Sequence, residues 1–221
     1  MRPRVARVAL IAGILHAASF APIGAWWLQI AAMAVPVALL LRAAATGETR
    51  VTRAAVPGLA FGLGWFVTGV SWLYVSMHRY GGMPAPIAAL AVLRFAAYLA
   101  LFAAAVTTLT QRAAAASMRG RGALSWGAVV CVGRLFAGSW GLAEIARGYL
   151  FTGFPWLAIG YAHVDGPLAA FAPLVGAYGV SALAALSAFG VGCALATMRR
   201  AASYDMPGDS RETPEGGVGA T

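Results

Sequence analysis

Residues 86–110 read PIAALAVLRFAAYLALFAAAVTTLT, and Arg94 is the only charged residue among them. A helix needs about 20 mainly apolar residues to cross the hydrocarbon core of a bilayer, so this run predicts a membrane-spanning helix. Five further segments along the chain meet the same description: 5–21, 26–41, 55–76, 124–146 and 167–198. We therefore predict an all-α membrane protein in which about six transmembrane helices form a bundle with short loops.

The first of these segments has an alternative interpretation. It follows Arg2, Arg4 and Arg7 and ends in small residues, a pattern that also resembles a secretory signal peptide. The next apolar segment begins almost at once, around Trp26, after a turn that contains Pro22. We therefore favour a helix that is retained in the mature protein.

The overall composition agrees with a membrane protein and argues against a nucleic-acid partner. Of the 221 residues, 61% are hydrophobic and 10% are charged, whereas soluble domains carry about 25% charged residues. The net charge of +9 comes from 16 arginines and seven acids, and the chain contains no lysine. A nucleic-acid-binding surface would gather these arginines into a patch, but here they fall mostly between the apolar runs.

The distribution of arginine predicts the orientation in the membrane. Eleven arginines lie at the N-terminus, in the connections 42–53 and 111–122, and at the end of the last segment. The connections on the opposite side hold two, Arg79 and Arg147. Because positively charged loops stay in the cytoplasm, we expect the N-terminus and the C-terminal tail to be cytoplasmic and the opposite loops to be periplasmic.

The chain divides by composition into a polytopic transmembrane domain, 1–200, and a tail, 201–221. The tail is rich in glycine, proline and acidic residues and has almost no large apolar side chains. Such a segment buries too little surface to order itself, so we expect it to be disordered.

The connection between the last two apolar segments contains the sequence FTGFPW, residues 151–156. Just before it, Glu144 and Arg147 are spaced to lie on one helix face and to pair. A neutralised pair that anchors a helix end is one interpretation. The other is a polar lining for a lipid-headgroup site, since ionisable groups near the membrane core are costly and often functional. The candidate lipid-facing or substrate-facing residues are Glu144, Arg147, Phe151, Thr152, Gly153, Phe154, Pro155, Trp156 and Tyr161.

Other reactive side chains give weaker signals. His163 and Asp165 are close enough in sequence for a proton relay, although such pairs are common by chance. Cys131 lies in an apolar run, where a buried and inert thiol is expected. We predict no catalytic residue, no metal site and no cofactor. Arg94 and Arg134 lie within apolar segments, so each needs a partner, a water-filled cavity or a route by which its charge reaches the interface.

Glycines recur on one face of the third apolar segment. They are Gly58, Gly62, Gly64 and Gly69. Faces of small residues let transmembrane helices approach closely, so we expect this segment to pack tightly against its neighbours.

Three runs resemble a known family. They are FAPIGAWWL at 20–28, YVSMHRYGGMPAPIAALAVL at 74–93, and LAEIARGYLFTGFPWLAIGYAHVDGPLAAFAPLVGAYGVS at 142–181. In content, order and spacing they are similar to the N-terminal membrane region of bacterial apolipoprotein N-acyltransferases. The resemblance covers about residues 5–200.

The resemblance implies an inner-membrane enzyme of lipoprotein maturation. In the family, an acyl chain moves from a phospholipid to an enzyme thiol and then to the α-amino group of the diacylglyceryl-cysteine at the start of a lipoprotein. A nitrilase-like domain with a Glu-Lys-Cys triad carries out this chemistry in two steps through an acyl-enzyme. The implied partners are membrane phospholipid and a lipoprotein substrate.

This chain differs from that family pattern in one respect that affects catalysis. It contains no lysine, and no nitrilase-like sequence follows Arg200. We therefore expect a truncated or split form that carries the membrane domain, is inactive alone, and would need a separately encoded nitrilase-like domain. The alternatives are a non-catalytic lipid-binding or scaffold protein and, less favoured, a small transporter, for which an internal repeat would be expected.

Overall fold

The computed structural model describes residues 3–48, 50–120 and 123–204, leaving out the side chains of Thr52, Thr152 and residues 199–204. This part of the chain is helical and contains no strand. Seven α-helices follow one another, and they are α1 Pro3–Ala17, α2 Trp26–Ala45, α3 Val51–Gly69, α4 Trp72–Val75, α5 Ala85–Met118, α6 Trp126–Tyr149 and α7 Ala172–Tyr204. The prediction of an all-α membrane bundle is confirmed.

Short irregular helices connect the last elements. A π-helical turn, Ser76–Tyr80, continues α4, and three 3₁₀ turns lie between α6 and α7 at Leu150–Thr152, Ile159–His163 and Pro167–Phe171. The expected disordered tail falls mostly outside the described residues, since α7 continues to Tyr204 and the structure describes nothing beyond it.

The number of spanning helices differs from the expected six. Within the described residues, four helices are long and apolar enough to cross a bilayer, and α3 with α4 and its π-helical turn makes a fifth if that pair, bent by 46°, counts as one span. Helix α1 has 15 residues, which gives a length of about 22 Å. This length is shorter than the roughly 30 Å hydrocarbon core. The apolar run continues to Ala21, but the helix ends at Ala17.

The bundle has two chemically different ends. The end that carries the connections 18–25, 70–84 and 150–171 is called the loop side here. The end where α2 and α5 finish and α6 begins is called the arginine-rich side, and its described arginines include Arg42, Arg50 and Arg112. A cluster of buried aromatic side chains fills the interior between them, and its members are Phe61, Trp65, Phe66, Phe136, Trp140 and Phe189.

Helix α3 lies between α1 and α5, and its glycines permit the close packing expected from the sequence, although on two faces of the helix and not on the single face that the sequence predicts. A Cβ atom on Gly62 would lie 2.8 Å from the Cα of Ala100 in α5, and one on Gly64 would overlap the carbonyl oxygen of Leu10 in α1. Gly69 leaves room for the side chain of Leu157, which a Cβ atom would overlap. The backbones of α1, α3 and α5 therefore meet without intervening side chains.

We expect Gly64→Ala to lower the free energy of unfolding by about 1–3 kcal/mol, because the new methyl group forces α1 and α3 apart. Gly138→Ala in α6 is the matched control, since a Cβ atom there meets nothing within 4 Å; it should be neutral or stabilising by up to about 1 kcal/mol. Unfolding in detergent, followed by tryptophan fluorescence, measures both. Equal stability of the two variants would contradict the packing of α1 on α3.

Candidate functional site

The backbone after α6 folds back on the helix end. Phe151 has φ 52° and ψ 53°, and Gly153 has φ 82°. The amide of Phe154 donates to the carbonyl of Arg147 at 2.8 Å, and the amide of Gly153 donates to that of Leu150 at 3.0 Å. A Cβ atom on Gly153 would overlap the carbonyl oxygen of Gly148, so the FTGFPW segment requires glycine at this position.

Two residues with side chains adopt the left-handed region in this connection. They are Phe151 and Leu157, whose φ is 60°. Such conformations are uncommon outside glycine and cost about 1–3 kcal/mol each. The surrounding contacts must therefore hold the segment between them, residues 152–156, in its observed shape.

Glu144 supplies one of these contacts. Its carboxylate is buried, and Oε1 accepts hydrogen bonds from the indole Nε1 of Trp140 at 3.0 Å and from the backbone amide of Ile159 at 2.9 Å. The next amide, that of Gly160, donates to the Ser181 hydroxyl of α7 at 2.9 Å. The backbone at Ile159 and Gly160, which follows the loop, is thus hydrogen-bonded to both α6 and α7.

Arg147 supplies a second contact, at the Trp156 end of the FTGFPW segment. Its side chain is buried, and Nη1 donates to the carbonyl of Trp156 at 2.8 Å. The guanidinium carbon lies 5.1 Å from the ring centroid of Phe66 and 5.8 Å from that of Trp65, within the range of cation–π attraction. A charged donor bonded to a carbonyl in a water-poor site is among the stronger hydrogen bonds.

The spacing of Glu144 and Arg147 predicts a pair, and the structure places them differently. Both lie on the buried face of α6 as expected, but within the described residues no nitrogen–oxygen distance below 4 Å joins them. Each instead bonds to the loop backbone. The prediction of a direct ion pair is therefore wrong, because the carboxylate and the guanidinium are used to hold two separate points of the loop.

A small cavity lies beside these two side chains, between α3, α5 and α6. Its volume is about 10 Å³, and its walls are mostly aromatic and aliphatic, including Trp65, Phe102 and Val106. Oε2 of Glu144 and Nη2 of Arg147 are buried without a hydrogen-bond partner in the described part of the chain. The cavity is about the size that one water molecule needs.

The aromatic residues of the candidate site divide into an exposed and an inner set. Phe151 is 83% exposed, Trp156 is 61% exposed and Tyr161 is 50% exposed. Phe154 is half-buried, with its ring 5.0 Å from that of Phe95 in an edge-to-face arrangement. The loop therefore presents three aromatic side chains outward while Phe154 fixes it to α5.

The other predicted site residues are placed as follows. Pro155 and Gly153 are partly buried within the loop, and Glu144 and Arg147 lie behind it, away from its surface. The backbone of Thr152 belongs to the 3₁₀ turn after α6, and its side chain lies outside the described residues. The candidates whose side chains the structure describes therefore do not line a single surface.

A buried polar contact that no local sequence pattern indicates joins the segment after the loop to α2. His163 is fully buried, and its Nε2 lies 2.8 Å from Oε1 of Gln29 in α2. Since Gln29 uses its amide nitrogen to donate to Met33 Sδ, its oxygen is the acceptor and His163 Nε2 carries the proton. Asp165 is exposed, so this histidine bonds to Gln29 and the suggested relay with Asp165 is not formed.

Three side chains in the spanning helices are placed on the outer surface of the bundle. Arg94 and Arg134 are both exposed, so neither charge is buried between the helices. Cys131 is also exposed, and the prediction that it is buried is wrong. The half of α6 around Cys131 is apolar on most faces, and for such a segment the sequence does not indicate which face packs inward.

We expect Arg147→Met to lower the free energy of unfolding by about 1.5–3 kcal/mol, because the Trp156 carbonyl then loses a charged hydrogen-bond donor. Hydrogen exchange should also become faster at the amides of Ile159 and Gly160. Arg134→Met is the matched control, an exposed arginine of the same helix, and should cause no loss of stability. A stable Arg147→Met variant with protected loop amides would contradict this role for Arg147.

We expect the protein to lose stability as the pH falls from about 7 towards 5. Burial lowers the pKa of His163 below the ordinary value of about 6.5, so the unfolded chain takes up this proton first. The loss begins near pH 6.5, ends once the pH is below the folded pKa, and is at most about 1.4 kcal/mol per pH unit for one proton. His16, also buried on this side, titrates too, so only the difference between the wild type and His163→Gln isolates His163. Identical pH profiles of these two proteins would rule out this contribution.

Comparison with known proteins agrees with the resemblance seen in the sequence. The family model described as the apolipoprotein N-acyltransferase N-terminal domain matches residues 12–190. An apolipoprotein N-acyltransferase of Ralstonia nicotianae is 50% identical over 194 residues, which cover 88% of this chain and 34% of the relative. One from Verminephrobacter eiseniae is 48% identical over 184 residues, and one from Nitrosomonas europaea is 40% identical over 182 residues.

This chain matches a similar share of each of these three relatives. They cover 32% of the Verminephrobacter eiseniae relative and 33% of the Nitrosomonas europaea relative, so the chain spans about a third of the length of the curated relatives that it matches. The match includes α2 to α6 in full, together with the loop that Glu144 and Arg147 hold. The chain therefore belongs to the family of apolipoprotein N-acyltransferase N-terminal domains.

Proposed function

We propose that this chain supplies the membrane platform of a phospholipid-dependent N-acyltransferase that acts on the diacylglyceryl-cysteine of lipoproteins. The observation that carries the proposal is the loop held by Glu144 and Arg147, which presents Phe151, Trp156 and Tyr161 outward. Aromatic side chains of this kind favour the depth of lipid headgroups. A rigid aromatic surface at that depth is suited to hold the acyl chains of a donor lipid or of a lipid-modified acceptor.

The proposal assigns binding to this chain and covalent chemistry to another part of the enzyme. Acyl transfer through a thioester needs an activated thiolate. The cysteines of this chain are Cys131 and Cys193, and both lie in helices towards the arginine-rich side, away from the loop. We place the reacting thiol in the two thirds of the relatives that this chain does not match. Phospholipid and the lipoprotein are then the partners of the loop side.

We also propose that the protein lies in the bacterial inner membrane with its loop side facing the periplasm. Eleven arginines near the opposite end, against Arg79 and Arg147 near the loops, support this orientation. The buried position of Arg147 strengthens the asymmetry, because its charge contacts the protein interior instead of the membrane surface. The N-terminus and the end of α7 then face the cytoplasm.

A chimera tests the proposed function. Residues 1–200 of this chain would replace the matching third of the Ralstonia nicotianae relative, and acyl transfer to a diacylated lipopeptide would be followed by mass spectrometry in membranes. We expect the chimera to transfer an acyl chain from phospholipid and this chain alone to transfer none. Transfer by this chain alone would overturn the division of binding and chemistry.

Trp156→Ala in the chimera should reduce the rate of transfer at least about tenfold, which corresponds to about 1.4 kcal/mol. Trp126→Ala is the control, because Trp126 is 82% exposed at the opposite end of α6. Its rate should match that of the unmodified chimera. If both variants keep the full rate, the loop is not the substrate surface.

A further inference from the structure

A groove lies between α3 and α5, towards the arginine-rich side of the bundle. Val51 and Ala55 of α3 form one wall, and residues of α5 between Leu101 and Arg112 form the other. Its volume is about 400 Å³, which is within the range of about 300–1,000 Å³ that ligand pockets occupy. The groove is separate from the loop that Glu144 and Arg147 hold, and it is far larger than the cavity beside them.

The walls of this groove suit a hydrocarbon chain. Ala104 is buried at its base, whereas Leu101 and Leu109 are exposed along its edge. The hydroxyl of Thr108 donates within its own helix, to the carbonyl of Ala104 at 2.6 Å, so it does not make the groove polar. Small residues at the base let a neighbouring chain approach closely, and an acyl chain lying there gains many van der Waals contacts.

The base of the groove is held in shape by direct contact between its two helices. A Cβ atom on Gly58 of α3 would overlap the hydroxyl oxygen of Thr107 and would lie 2.6 Å from the carbonyl oxygen of Ala103, both in α5. The two backbones therefore touch beside the groove without intervening side chains. A groove bounded in this way is already formed before a ligand arrives, which lowers the cost of binding.

The groove has the length of one leaflet. Leu101 lies at the midpoint of α5, which runs from Ala85 to Met118. Arg112 follows it by 11 residues, a distance of about 16 Å along the helix. Half of the hydrocarbon core measures about 15 Å. If α5 is centred in the bilayer, its groove residues extend from the midplane to the depth of the headgroups, and Arg112 marks the headgroup end.

The charge at that end selects the sign of the ligand. Arg112 is exposed, and no hydrogen bond or ion pair engages it in the part of the chain that the structure describes. Helix α3 begins at Val51, so the positive end of its dipole lies at the same end of the groove. The described carboxylate on this side, that of Glu48, is bonded to Arg53. A guanidinium matches the geometry of a phosphate group better than an ammonium does.

From this geometry we propose that the groove binds one anionic phospholipid from the leaflet at the arginine-rich side, with its phosphate at Arg112 and an acyl chain between Val51 and Leu101. A transmembrane helix of another protein would need an acid of its own to face Arg112, whereas an anionic lipid brings a negative group at that depth together with a hydrocarbon tail. The site does not depend on acyl transfer, and it takes its lipid from the leaflet opposite the substrate surface proposed above.

Photocrosslinking tests this proposal on the full chain. The protein is placed in phosphatidylcholine nanodiscs that contain a small share of phosphatidylglycerol or phosphatidylcholine with a diazirine in one acyl chain, and adducts are mapped by mass spectrometry. Exposed residues 87–93, at the other end of α5, are the internal control. We expect the ratio of groove adducts to control adducts to be about fivefold higher for phosphatidylglycerol, which corresponds to about 1 kcal/mol.

Two pairs of variants separate a bound lipid from general attraction to the surface. Arg112→Gln should lower the ratio for phosphatidylglycerol to that for phosphatidylcholine. Arg119→Gln, which removes an exposed charge on the same side outside the groove, should leave it unchanged. Ala105→Trp fills the groove from an exposed position and should remove the groove adducts of both lipids, whereas Ala89→Trp, exposed near the other end of α5, should retain them. This second pair keeps the test decisive if Arg112→Gln does not fold.

Three results would overturn the proposal. The first is the same ratio for the two lipids in the wild type, which includes the case in which another helix covers the groove and neither lipid labels it. The second is a preference for phosphatidylglycerol that persists in folded Arg112→Gln or that Arg119→Gln removes equally. The third is groove labelling that Ala105→Trp leaves intact. None of these measurements involves acyl transfer, so the proposed function stands or falls separately.

Discussion

The structure depends on two buried charged side chains at the end of one helix. Glu144 and Arg147 each form hydrogen bonds to the backbone of the following connection, at Ile159 and at Trp156. An isolated charge in such an environment is unfavourable, so these bonds are strong and their geometry is restrictive. They hold a loop that includes two left-handed residues and that local preferences alone would not produce. The exposed aromatic side chains are presented outward because this base holds the loop behind them.

The two ends of the bundle differ in the side chains that they present. At the loop side, aromatic rings stand exposed above a fixed backbone. At the arginine-rich side, an apolar groove between α3 and α5 ends at the guanidinium of Arg112. Between these ends, glycines of α3 bring its backbone close to α1 and to α5.

Hydrophobicity predicts the helices because crossing a bilayer requires long apolar runs. It does not predict where a helix begins or ends when the helix extends beyond its apolar run. The run 86–110 is a helix, but α5 begins at Ala85 and continues to Met118, since the alanine-rich residues after Thr110 are good helix formers. The spacing of Glu144 and Arg147 correctly predicts a shared face and cannot indicate that each binds a separate point of the loop. The contact between Gln29 and His163 joins residues 134 positions apart, and no local pattern encodes it. The sequence also does not indicate that Cys131 is exposed, because the half of α6 around it is apolar on most faces.

Phe151 adopts a left-handed backbone conformation, in which glycine would be more compatible with folding than phenylalanine. Glycine adopts this conformation without penalty, whereas Phe151 holds it with a side chain that is 83% exposed. The ring meets Tyr98 edge to face, with 5.7 Å between centroids, but most of its surface contacts nothing in the protein. Glycine at this position would relax the backbone and remove the ring together, so comparing the stability and the activity of such a variant separates the ring's part in folding from its contacts outside the chain.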